Sequence, residues 1–253
     1  MKKGGDGMNG LRTSNFRRID RGLLLELFLL LAMPVILAAL LALIVGQLAA
    51  AAVNVETVTV QTLLSDPSLA VRAFYALLAF QYCAVALCAL LVVSGLGELE
   101  SDVPELRRAK RLFLALMLTE AVAMLTHITS LLLPQDVSIP ATVVFLVSVL
   151  LLLVLRAAAL HRLTRGFAEV LARVGSDAAA ARAQKLSRRI VWSAALLLAL
   201  LLGSVVLWLL DFSAGKRALF LAAAAALVFH VVVRVQLVGF ARQTTRVIAS
   251  ISE

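Results

Sequence analysis

The sequence predicts an all-α integral membrane protein. The expected architecture is a bundle of six transmembrane helices, built as three repeated helical hairpins, with a short cytoplasmic helical stalk. Three observations predict it. Of the 253 residues 62% are hydrophobic, with a mean hydropathy of +1.00, against about 45–50% apolar in soluble domains even when glycine is counted. The excess is gathered into long runs such as Leu27–Ala52, which as helices span about 30 Å of hydrocarbon. The formal charge is +9, and the basic residues recur at alternate ends of the apolar runs.

Residues 1–22 read as a basic cytoplasmic or interfacial N-terminus, and residues 23–253 as one membrane domain. The first span lies near 23–53. It is interrupted by Pro34 and preceded by Arg17, Arg18 and Arg21, which favour an anionic leaflet. It is too long for a signal peptide and is expected to be retained. VNVETVTVQ after it alternates like a strand but has no partner, so a loop is expected. Asp66-Pro67 supplies an N-cap and a first-turn proline before the second span, near 70–96. Asp102-Val103-Pro104 closes the next connection, and the third span follows near 112–133. Ser138-Ile139-Pro140 opens the fourth, near 139–160; the fifth and sixth lie near 190–210 and 217–240.

Between the fourth and fifth spans, residues 161–189 form a polar helical hairpin broken at Gly175-Ser176-Asp177. Leu163, Phe167, Val170 and Val174 recur at three- and four-residue steps, the period of one helix face. They make a candidate docking stripe on the stalk. Phe240, Val247 and Ile251 are expected to add a third helix to it.

All Lys and Arg residues except Arg72, Lys216 and Arg217 fall at the N-terminus, the second and fourth connections, or the C-terminal end. The positive-inside rule then places both termini in the cytoplasm. It also explains the basic balance without nucleic acid. Richness in Ala, Leu and Arg points to a bacterial inner membrane. The phrase GFAxxxxRV occurs twice, as GFAEVLARV from Gly166 and GFARQTTRV from Gly239. Both begin where an even-numbered helix leaves the membrane, as a repeated hairpin requires.

Ionisable groups within apolar runs are costly to insert and mark candidate sites. Glu120 and His127 are seven apart on the third span, and His230 and Arg234 four apart on the sixth. Counted by helical rise, Glu120 matches His230 in depth, with Arg234 one turn nearer the cytoplasm, so Glu120 is expected to pair with one of them. Arg156 is expected to snorkel to the headgroups. Glu26 sits near a segment end and is assigned no role. The small-residue ladders Ala38/Ala42/Gly46/Ala50 and Ala222/Ala226 point to close helix packing within the chain, or to a dimer seam.

The sequence holds no Walker A, HExxH, GxSxG or CxxC motif. Cys83 and Cys88 are expected to be unpaired, and the three histidines lie at different depths, so no metal, haem or other cofactor is expected. The leading functional expectation is a non-enzymatic membrane subunit or scaffold. Its basic stalk would dock a membrane or cytoplasmic protein, and its cytoplasmic side would contact anionic headgroups; an oligomer is compatible with this. The alternative is a small transporter or permease component using Glu120, His127, His230 and Arg234.

Overall fold

The structure is a computed structural model that describes residues 13–50, 69–97, 99, 103–132, 135–209 and 213–252. The Asp66-Pro67 turn, the VNVETVTVQ stretch and Asp211 lie outside the described residues. The described residues form six helices: α1 (Thr13–Ala50), α2 (Leu69–Leu96), α3 (Pro104–Leu132), α4 (Gln135–Arg173), α5 (Asp177–Leu209) and α6 (Ser213–Ser252). Four of them contain stretches long and apolar enough to cross a membrane: Thr13–Leu40, Ala79–Leu96, Val147–Arg173 and Ala222–Ser250.

Each helix packs on its neighbours in sequence, and α6 returns to pack on α1. The result is a closed up-and-down ring. Cross-contacts fix the antiparallel register. Asp20 and Glu26 of α1 meet Arg242 and Arg234 of α6, and His161 and Ser187 join α4 to α5.

Local chemistry sets the turns. Pro104 stands at the first helical position of α3, where its missing N–H costs nothing, and the Val103 carbonyl accepts the Leu106 and Arg107 N–H groups. At the end of α4, Gly175 adopts φ +77°. Its N–H donates to the Ala172 carbonyl, and that of Ser176 to the Leu171 carbonyl. This is the paired closure that favours glycine after a helix. The predicted break at Gly175-Ser176 is therefore the α4–α5 turn. Pro140, by contrast, does not open α4, which starts five residues earlier at Gln135.

The stalk differs from its expected form. The helices run on without interruption, as expected, but residues 161–189 do not stand apart as a two-helix projection, because residues of α1, α3 and α6 share their core. Phe167 is 1% exposed, with its ring 5.8 Å from that of Phe16 and 6.4 Å from that of Phe240. Leu106, Leu163, Val170, Leu186 and Ile248 belong to the same core. Apolar periodicity identified the buried face of α4, but its partners are α1, α3, α5 and α6 of this chain. Leu163, Phe167 and Val170 are buried and Val174 is half-buried, so the stripe is not free to dock another protein. The C-terminal end of α6 does pack on this region as a third helix, through Phe240 and Val247, while the side chain of Ile251 lies outside the described residues.

The two GFAxxxxRV phrases thus contribute Phe167 and Phe240 to one aromatic contact. Their glycines differ. A Cβ on Gly166 would collide with the Leu106 side chain, whereas one on Gly239 would meet nothing within 4 Å. Close approach between α1 and α2 is likewise carried by Gly22 and Gly95. The α1 ladder does not pack as expected: Ala38, Ala42 and Gly46 are exposed.

Candidate functional site

The inward stripe of each helix continues from the Phe167 core toward the apolar half of the bundle, and there it turns polar. On α1 the stripe reads Phe16, Ile19, Leu23 and then Glu26; on α3 it reads Phe113, Leu116 and then Glu120. On α6 it passes from Leu237 through Arg234 to His230, and on α5 from Ile190 to Ser193. Helical spacing thus places a polar residue at a core position on several helices at similar height.

These groups form one chain of contacts. Glu120 Oε1 accepts from Arg156 Nη2 at 3.3 Å. The Arg156 Nε lies 3.1 Å from Glu26 Oε1, and Arg234 Nη1 reaches the same oxygen at 3.4 Å. Arg234 Nε donates to His230 Nε2 at 3.2 Å. His230 Nδ1 lies 3.2 Å from Ser193 Oγ, whose hydroxyl donates to the Ile190 carbonyl at 2.9 Å. Ser193 Oγ is thus the acceptor for His230, and Nδ1 carries the ring proton. His230 is the neutral tautomer, with Nε2 free to accept from Arg234. Five helices are linked, and two carboxylates balance two guanidiniums.

Glu26, Glu120, Arg156, His230 and Arg234 of this chain of contacts line a cavity of about 390 Å³ to which all six helices contribute. Gln81 and Tyr82 add polar groups on the α2 side, and the remaining wall is aliphatic, with Leu152, Ala194 and Leu227 among its residues. Such a volume lies within the usual range for small-molecule sites.

Of the four residues singled out in the sequence, Glu120, His230 and Arg234 line this cavity. His127 is attached indirectly. Its Nδ1 lies 2.9 Å from the hydroxyl of Tyr82, a lining residue. The expected direct pairing differs: Arg234 pairs with Glu26, and Glu120 with Arg156. Arg156 therefore does not simply snorkel, because two carboxylates hold it inside the bundle. Glu26 is the residue that sequence reasoning missed. A first span read from residue 23 puts Glu26 at its edge, but α1 starts at Thr13, which puts Glu26 about 20 Å along the helix. The signal was present as a lone carboxylate in LLLELFLL.

Cys83 is exposed and Cys88 buried, and both are free thiols. Among the described residues, no group of three or more His, Cys, Asp or Glu side chains is placed to hold a metal ion. No known protein family, curated protein or solved structure matches this chain.

Proposed function

We propose that the chain is a six-span membrane protein, with both termini cytoplasmic, that acts as a transporter or permease component. Its central cavity would take a small solute carrying both a positive and a negative group. The observation that carries this reading is the charged network lining a cavity between six helices. Each ionised group costs about 2.5–3.5 kcal/mol to place at mid-membrane on insertion scales. A buried ion pair is often no better for stability than apolar packing of the same volume. Four such groups facing a cavity are therefore more economically explained by a ligand than by packing alone.

Charge balance favours the solute class. A ligand of single sign would leave one group of the network unmatched in a low-dielectric site. A zwitterion can take Glu120 with its cation and Arg156 with its anion, and keep the balance. Glu120 is the carboxylate most readily exchanged, because among the described residues its bond to Arg156 is its one ion pair. The competing scaffold reading loses its docking stripe, which is core. The exposed arginines at the basic end remain available to a lipid or protein partner.

Thermal shift of the purified full chain with matched zwitterionic, cationic, anionic and neutral compounds tests the solute reading. Zwitterions are expected to raise the melting temperature of the wild type and not of Glu120→Gln. Stabilisation by single-sign ions alone, or by no class, counts against it. Topology is tested separately by reporter fusions. Those after Glu253 and within 176–180 are expected to report cytoplasm, and those near Val55 or Gln135 the outside; a reversed pattern removes the orientation.

A further inference from the structure

A second concentration of donors lies outside the cavity, in the groove between α4 and α5 at the basic end. It forms a pocket of about 340 Å³ lined by His161, Arg165, Gln184, Ser187 and Arg188. The register explains why these five meet. His161 and Arg165 are one turn apart on α4, and Gln184 and Arg188 one turn apart on α5, so each pair shares a helix face. Ser187 pins the two rows together, with Oγ 2.6 Å from His161 Nδ1 and 3.3 Å from the His161 carbonyl.

Every lining side chain can donate a hydrogen bond and none is acidic. The contrast with the neighbouring arginine is direct. Arg162 Nη1 donates to both oxygens of Glu105, at 3.2 and 3.0 Å. Arg165 and Arg188 have no carboxylate partner among the described residues. Two guanidiniums facing one groove repel each other unless an anion joins them. Planar N–H forks match phosphate oxygens in particular.

The height of the groove identifies the source of that anion. One turn further along α5, Trp192 is 73% exposed, beside exposed Val191. On α4, Val154 and Leu151 are exposed on the same apolar side of the groove. In the opposite direction come exposed Arg182 and Lys185. The groove thus lies where apolar surface gives way to basic surface, and an exposed Trp at that boundary is typical of the headgroup level.

We propose that the α4–α5 groove binds the phosphate of an anionic phospholipid headgroup. Arg165 and Arg188 clamp the phosphate oxygens, while Gln184 and the His161–Ser187 pair contact the remaining headgroup. The acyl chains lie along Val191 and Trp192. A free phosphate ion satisfies the same donors but lacks those apolar contacts. The proposal rests on the membrane reading and is independent of the cavity and its solute.

The test is native mass spectrometry of the detergent-solubilised full chain with phosphatidylglycerol, phosphatidylcholine or inorganic phosphate. Phosphatidylglycerol is expected to be retained about tenfold over phosphatidylcholine, and millimolar inorganic phosphate is expected not to displace it. Each cation near an anionic surface contributes about a fivefold factor. Arg165→Ala with Arg188→Ala should therefore lower retention about 25-fold. Arg182→Ala with Arg246→Ala removes the same charge elsewhere on this end and should leave retention unchanged. Equal losses in the two double variants, displacement by inorganic phosphate, or equal retention of both lipids would each overturn the proposal. Gln184→Glu places a carboxylate in the groove at an exposed position, so it reads the same site if the double variant cannot be recovered folded. Its retention of phosphatidylglycerol should fall, and unchanged retention would overturn the proposal.

Discussion

Replacing Glu26 by Gln removes one charge from the centre of the network and leaves the side-chain shape nearly unchanged. Glu26 Oε1 serves both Arg156 and Arg234. Arg156 retains Glu120, but among the described residues Arg234 keeps only the neutral ring nitrogen of His230. Arg234 is also the less exposed guanidinium, at 9% against 23% for Arg156. Breaking a buried pair from one side costs about 3–5 kcal/mol. The residual exposure of Glu26, 13% of its side chain, places this site at the lower end, about 3 kcal/mol. For a chain of this size that corresponds to a loss of about 6–12 °C in melting temperature. Glu120→Gln should cost less, about 1–2 kcal/mol, because both arginines still touch Glu26. Glu26→Gln combined with Arg234→Gln should recover most of the loss, since the Arg156–Glu120 pair remains balanced. Thermal melts of the four proteins in one detergent give the ranking. A Glu26→Gln melt within a degree of wild type, or a larger loss for Glu120→Gln, would refute the reasoning.

The twin glycines should respond with opposite signs. Gly166→Ala drives a Cβ into Leu106 and should destabilise by about 1–3 kcal/mol, whereas Gly239→Ala has open space and should stabilise α6 by about 0.5–1 kcal/mol; melting temperatures read both. Phe167→Ala opens a cavity between Phe16 and Phe240 and should cost about 3–5 kcal/mol. A neutral result in the same melts would place Phe167 on the surface.

What the sequence revealed follows from local physics. The apolar runs and the Gly175-Ser176 turn depend on length and backbone chemistry within a few residues. The inward face of α4 was legible from the spacing of Leu163, Phe167 and Val170. What covers that face was not, because periodicity names a buried side and never its partner. The charged site was half legible. Glu120, His230 and Arg234 stood out as ionisable residues within apolar runs, and all three line the cavity. Their pairing depends on where each helix starts and on which neighbours close the ring. The ten residues of α1 before Leu23, and the return of α6 to α1, bring Glu26 between Arg156 and Arg234.

The central claim is that the charged network faces a water-accessible cavity within the ring, and cysteine accessibility in intact membranes tests it most directly. In a background with Cys83→Ala and Cys88→Ala, Leu153→Cys and Leu197→Cys place thiols among the cavity-lining positions. Val154→Cys and Leu196→Cys place them at neighbouring outward positions, 47% and 44% exposed. The thiolate, which forms in water and not in hydrocarbon, attacks the sulfenyl sulfur of a charged methanethiosulfonate and displaces methanesulfinate. The account predicts that the cavity pair reacts at least about tenfold faster than the outward pair. Equal, slow reaction at all four positions would contradict it and leave the network as a dry structural latch.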